Sequence, residues 1–195
     1  NALSRTSADY IVSGGASCVA MLTQDYLHMF RNELIWQARA EALAVKVMDF
    51  TSFLVNVARI PAGTLASDKV TPVVTYHDSC QGLNALGLSV EPREVLVELL
   101  GCEVRELDGN RTCCGFGGAF SFDYPEIAER LMKRKLDNAQ ATDAPVVVTD
   151  NQGCIMHLRG GADAEGRSIK VAHIAELVAA RVAQLPPADV QSPES

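Results

Sequence analysis

Nothing in this chain is long and apolar enough to span a bilayer. Its apolar runs, such as Pro72–Tyr76 and Pro145–Thr149, are strand-sized, against the roughly 18 residues a membrane helix needs. No basic segment leads into an apolar one at the N-terminus, so no secretory leader is expected. Basic residues are in the minority, 17 Lys and Arg against 24 Asp and Glu, for a net charge of −7. That balance argues against nucleic acid or an anionic membrane surface as a main partner. Aromatic residues are few, at 6 % with a single Trp, but 48 % of the 195 residues are hydrophobic, enough for a real core. Six cysteines are too sparse for a secreted disulfide scaffold of this length. Two of them, Cys113 and Cys114, are neighbours, which rarely pair with each other because a disulfide needs separated, suitably oriented Cα atoms. Clustered cysteines without a disulfide framework point to metal binding or catalysis in the cytoplasm. The sequence opens at Asn1 straight into structured-looking residues, so the natural start is expected upstream.

What is present alternates strand and helix. Strands are expected at Tyr10–Ser13, Val73–Tyr76, Glu103–Leu107, Val146–Thr149 and Lys170–Ala172. Helices are expected from Val19 to Tyr26, Glu33 to Val47, Asp49 to Val57, Pro92 to Leu100, Pro125 to about Ala141, after Cys154, and from His173 to Ala183. The proline-rich end, 185–195, reads as a disordered tail. This alternation implies an α/β fold with mainly parallel sheets flanked by helices. Cys18, Cys80 and Cys154 then fall in loops at strand C-terminal ends, the edge where open α/β sheets bind ligands. There is also an internal repeat. Ile11-Val12-Ser13, a small-residue turn and Cys18 match Val147-Val148-Thr149, a turn and Cys154 at a constant offset.

The string Cys113-Cys114-Gly115-Phe116-Gly117-Gly118 carries the chemistry. Thiolates are soft ligands that select iron–sulfur clusters, zinc or copper(I). Adjacent cysteines aim two sulfurs from one turn. Gly115, Gly117 and Gly118 relieve Cβ crowding, so that backbone can wrap an inorganic core and donate N–H groups to sulfur. Cys80 and Cys154 can converge on the same sheet edge, giving a four-thiolate set. Cys102, at a helix-to-strand join, reads as a buried apolar thiol. His77, His157 and His173 lie near the cluster loops, where each could act on the cofactor or be satisfied by backbone; His77, three residues before Cys80, is the best functional candidate, and His28 reads as surface. Asp78 and Asp150 are expected to bond loop backbone N–H groups. Tyr124, Lys133, Arg134 and Lys135 read as a solvated helix face or a docking edge. Gly115–Gly118 is neither a P-loop nor a dinucleotide fingerprint, since no Lys-Ser/Thr follows and the helix at Pro125 comes too late.

Cys80, Cys113-Cys114-Gly115, Pro125 opening a helix, and Gly153-Cys154 together resemble the cysteine-rich CCG domain found in heterodisulfide reductases and in the iron–sulfur subunits of glycolate oxidases. Tyr76-His77-Asp78-Ser79-Cys80, Thr112-Cys113-Cys114-Gly115-Phe116-Gly117-Gly118 and Val171-Ala172-His173-Ile174-Ala175-Glu176-Leu177 are similar to the lactate utilisation protein A family, from Tyr10 to about Val182. The resemblance implies two CCG units in tandem: residues 1–60 as the C-terminal remainder of the first, and 71–184 as the complete second. It implies an iron–sulfur electron-transfer subunit of a multi-subunit system oxidising L-lactate to pyruvate. Its partners would be the other subunits and an electron donor and acceptor, protein or quinone. Cys18 would be the remaining metal ligand of the first unit. Asn151 stands where the domain pattern has another cysteine, so an ordinary [4Fe–4S] cluster on four thiolates is expected rather than a five-thiolate one. Rival readings are a structural zinc-binding interaction module and a thiol–disulfide redox subunit in the heterodisulfide reductase manner. Adjacent cysteines fit zinc spacing badly, and Asn151 weighs against the second.

Overall fold

The computed structural model describes residues 2–67 and 70–185. The expected tail at 185–195 lies, beyond Leu185, outside the described residues. All strand pairing among the described residues is parallel. One sheet has two strands, β1 (Ile11–Ser13) and β2 (Val47–Asp49). The other has four, ordered β4 (Glu103–Val104), β3 (Val73–Tyr76), β5 (Val146–Thr149), β6 (Lys170–His173). Helical segments α1 (residues 16–29), α2 (Leu34–Ala44), α3 (50–58), α4 (Gln81–Ala85), α5 (91–99), α6 (Phe120–Asp123), α7 (Pro125–Gln140), α8 (Gln152–Ala164) and α9 (Ile174–Val182) fill the connections. No helix among the described residues is long and apolar enough to cross a membrane.

Two expectations are corrected. Val47–Asp49 is a strand, where the sequence reads as helix running into helix. Three residues between good helix formers leave no periodicity to read, and only pairing with β1 makes them a strand. The strand expected at Glu103–Leu107 shrinks to Glu103–Val104, because only these two residues pair with β3.

Successive residues of a strand point to opposite faces, and helices cover both faces of the larger sheet. Val74, Tyr76 and Val148 pack with Leu54, Val95, Leu96, Leu99, Cys102, Ile174 and Val178. Val147 and Val171 pack on the other face with Met132, Leu136, Ala139, Leu158 and Ala162 of α7 and α8. Cys114 and Cys154 belong to this second core. Leu54 lies on α3, so the first half of the chain is built into the second half's core.

Candidate metal centre

Strands β3 and β5 are neighbours, with Tyr76 opposite Val148. One step further, the His77 N–H donates to Val148 O at 2.9 Å, and this sets His77 beside the end of β5. After β5 the chain turns at Asn151, whose side-chain oxygen accepts from Gly153 N at 3.0 Å and Cys154 N at 3.3 Å, capping α8. Cys154 is thereby buried in the first turn of α8. The third contribution is the loop carrying Cys113 and Cys114. Gly115 has φ +100°, and a Cβ there would stand 2.4 Å from Ala128 O of α7, so only glycine lets the loop lie this close. Its N–H donates to Cys113 Sγ at 3.3 Å, the sulfur contact the glycine-rich sequence implies.

Ligand atoms of His77, Cys114 and Cys154 come within 4.8 Å of one another, and all three residues are buried. The neighbouring buried thiols of Cys154 and Cys114 interact, which holds the Cys114 thiol far below its ordinary range and Cys154 far above, with His77 also lowering Cys114. Cys80 is exposed at the start of α4, yet close enough to feel the charges of Cys113 and Cys114; partial burial first, then those charges, push its thiol up. Cys113 is half-buried. Cys18 is exposed on α1 and stands outside the close group. Cys102 is buried in the opposite core. Gly117 and Gly118 continue the loop in left-handed conformations.

The other expected residues divide. His173 is satisfied: Nδ1 accepts from Ala175 N at 3.0 Å, capping α9, and Nε2 donates to Gly14 O at 2.6 Å. His157 reaches Ala128 O at 3.5 Å and packs against Phe116. His28 is exposed. His77 is only half satisfied, since Nδ1 donates to Asn110 O at 3.2 Å while buried Nε2 has no hydrogen-bond partner. Asp78 does not bond loop backbone N–H groups. Its carboxylate accepts from both terminal nitrogens of Arg93, at 2.9 and 3.0 Å, and from the Asn110 amide at 2.9 Å. Asp150 takes the Ser79 hydroxyl and leaves Oδ1 unpartnered, so burial raises its pKa.

Lys135 overturns the expectation of a solvated face. It is 3 % exposed, and its ammonium donates to Gly109 O at 2.6 Å and Asn110 O at 2.8 Å, on the segment leading to Cys113. Burial pushes its pKa down to about 8, while Cys114, Cys113 and Cys154 hold it up. The sequence did contain the signal. Ala128, Met132, Lys135, Leu136 and Ala139 form one helical stripe, and Lys135 is the charged member of that buried stripe. Arg93, Glu106 and Asn110 were missed for a different reason. Their network, with Arg93 also 5.3 Å over the Tyr76 ring, joins residues far apart in sequence and leaves no local pattern.

These donors suit a metal group. Two buried thiols, two further thiols nearby, a buried imidazole nitrogen without a partner and a buried ammonium form a costly arrangement by themselves. They make a reasonable one around a metal bound through thiolates.

The cysteine-rich domain family designated CCG matches residues 74–159, the segment from β3 into α8 that holds these donors. "Lactate utilization protein A" of Bacillus velezensis (strain FZB42) is 35 % identical over 175 residues, covering 89 % of this chain and 71 % of that protein. The proteins of the same name from Halalkalibacterium halodurans and Exiguobacterium sp. (strain AT1b) are each 34 % identical, covering 88 % and 89 % of this chain and 68 % and 69 % of theirs. The chain belongs to the lactate utilisation protein A family. Its cysteine-rich domain is thus the part of the molecule that gathers His77, Cys114 and Cys154.

Proposed function

We propose that this chain is an iron–sulfur electron-transfer subunit of a cytoplasmic, multi-subunit system that oxidises L-lactate to pyruvate. Cys80, Cys113, Cys114 and Cys154 would be the thiolate ligands, and four thiolates suit a [4Fe–4S] cluster. The observation that carries this is the meeting of buried Cys114 and Cys154 with an unpartnered imidazole nitrogen, where β3, β5 and the 109–118 loop converge. When bound, such a cluster accepts and releases single electrons. The chain's own residues do the rest. Cys114 and Cys154 supply buried sulfur, the Gly115 N–H donates to sulfur, and the Lys135 ammonium offsets negative charge beneath the loop. Conversion of lactate to pyruvate releases two electrons and two protons, so the partners would be substrate-oxidising subunits and an acceptor protein or quinone. In the same reading, residues 1–60 are the end of a first CCG unit, with Cys18 its remaining ligand, and 71–184 are the second unit.

Anaerobic purification with iron and sulfide quantitation tests the cluster. A brown protein containing both is expected, and Cys114→Ser should lose them. In cells, the Cys114→Ser strain should fail to grow on L-lactate as sole carbon source. Normal growth with the cluster gone would remove the pathway from this reading.

A second reading is a structural zinc site. It is favoured by the mutual 4.8 Å spacing of His77, Cys114 and Cys154, which is compatible with ligands around one tetrahedral ion. A colourless protein holding zinc and no sulfide would select it.

A further inference from the structure

We propose that His77 supplies a nitrogen donor, through Nε2, to the metal group held by Cys114 and Cys154. The assignment rests on the cysteine site being a metal centre, of either kind above. Three observations carry it. Nε2 is buried without a hydrogen-bond partner, and the ring is 1 % exposed. Such an atom is costly unless something meets it. The ring's ligand atom also stands within 4.8 Å of both sulfurs.

The third observation fixes the tautomer. Nδ1 faces Asn110 O, a carbonyl oxygen that can only accept, so Nδ1 carries the proton. In the neutral ring Nε2 then carries the free lone pair. That arrangement is held from several sides. Asn110 O also accepts from the Lys135 ammonium at 2.8 Å. The Asn110 side chain bonds the Asp78 N–H at 2.8 Å, and the carboxylates of Asp78 and Glu106 at 2.9 Å each. Arg93 ties those two carboxylates together. A backbone carbonyl on the far nitrogen of a metal-bound histidine is the usual way of setting which nitrogen binds. Asn151 offers no competing donor, because its side-chain oxygen is spent capping α8.

A [4Fe–4S] cluster takes one protein ligand per iron, so His77 would replace one of the two thiolates outside the close group, exposed Cys80 or half-buried Cys113. Imidazole brings no negative charge, so the reduction potential should be higher than with four thiolates. Asn110 and Lys135 are positioning residues in this scheme.

The test uses the full chain labelled with 15N-histidine, reconstituted anaerobically with ferrous iron and sulfide, and examined by pulsed EPR in its paramagnetic state. A strongly coupled 15N is expected, absent in His77→Gln and retained in His157→Gln. His77→Cys should keep the iron, lose the nitrogen coupling and lower the potential. It also covers the case in which His77→Gln fails to fold, and the wild-type spectrum needs no substitution at all. An iron-loaded wild type without coupled nitrogen overturns the assignment and leaves the cluster standing. If the chain takes up no iron, the cluster reading falls, and cobalt(II) then serves as the probe. Ligand-field bands that shift between wild type and His77→Gln support the nitrogen donor, and identical bands or no cobalt uptake overturn it.

Discussion

The two halves of the chain begin alike and end differently. β1 runs into a small-residue turn and Cys18, and β5 runs into a capped turn and Cys154. Each strand takes a parallel neighbour in the same register, Ile11 to Val47 through Ser13 to Asp49 in one, Val147 to Val171 through Thr149 to His173 in the other. Asp49 and His173 close these matching pairs, and each caps the helix that follows. The difference lies on the other side of the central strand. β5 has β3 there, bringing His77, Cys80 and the 109–118 loop, while β1 has no second neighbour among the described residues. Cys154 is 5 % exposed, and Cys18 is open to solvent. A strand, a turn and a cysteine therefore place a thiol at a sheet edge but do not make a site. Additional elements converging on the edge make it.

The largest effect should separate these two thiols. Cys114→Ser is expected to abolish iron and sulfide binding, since a serine oxygen is too hard a donor for this chemistry. Cys18→Ser should leave the metal content of the second site unchanged. Equal loss in both variants, measured by iron and sulfide analysis, would break the comparison by making Cys18 part of the same site. Cys102→Ser serves as a control, losing roughly 1–3 kcal/mol of stability for a buried hydroxyl but no metal.

Next comes the backbone that lets the loop close. Gly115→Ala combines an unfavourable φ with a Cβ 2.4 Å from Ala128 O, and should cost about 2–4 kcal/mol together with metal affinity. Gly63 in the first half also has positive φ, but a Cβ there meets nothing within 4 Å. Gly63→Ala should cost only about 1 kcal/mol. Denaturant midpoints with unchanged m-values would measure both, and equal losses would mean that loop closure does not depend on that contact.

The sequence made the fold class and the cysteine-rich domain legible, because periodic strands, Pro125 and the Cys-Cys-Gly string are local signals. β2 was not legible, since its strand character comes from pairing with β1. Nor was the support of the site. Asn110 meets His77 and Lys135 through its own backbone carbonyl, which any residue possesses, and its side chain reaches Asp78, 32 residues earlier, so neither contact leaves a local pattern. Lys135 could have been found from its place on the buried stripe of α7, but its charge pointed toward solvent. Asp78 looked like an ordinary turn residue, whereas its partner Arg93 lies on α5, one helix away.

Asp150 gives a smaller effect with a definite pH signature. Burial raises its folded-state pKa above the ordinary 3.8, with Asp49 among the lesser causes in the same direction. Protonated, the folded form loses nothing. As pH rises through the folded value, a buried carboxylate with one unpartnered oxygen must ionise, and stability falls. Asp150→Asn removes that titration and keeps an oxygen for Ser79. At neutral pH it should stabilise the metal-free chain by roughly 1–2 kcal/mol. The gain should shrink as pH falls, disappearing below about 3.8. A pH-independent difference in thermal or urea midpoint would show that the carboxylate is not the cause.

The smallest effect tests whether the two halves share their capping device. Asp49 accepts from Thr51 N at 2.8 Å and Ser52 N at 3.2 Å, and from the Thr51 hydroxyl at 2.6 Å. His173 accepts from Ala175 N, and Glu176 returns a bond to the His173 N–H at 3.3 Å. Removing either cap should cost about 1 kcal/mol. The halves differ in charge, however. Asp49 is a buried anion that makes ionisation of Asp150 harder, whereas His173 also ties Gly14 of the first half to β6 through its second nitrogen. Asp49→Asn keeps the cap without the charge, so it should be neutral or slightly stabilising at pH 7, while Asp49→Ala should lose the cap energy. His173→Asn also keeps a cap, but it loses the reach to Gly14 and should be destabilising. Urea midpoints of these three variants decide the matter. If Asp49→Asn is as damaging as Asp49→Ala, Asp49 holds the first half together by its charge, and its likeness to His173 ends at the register.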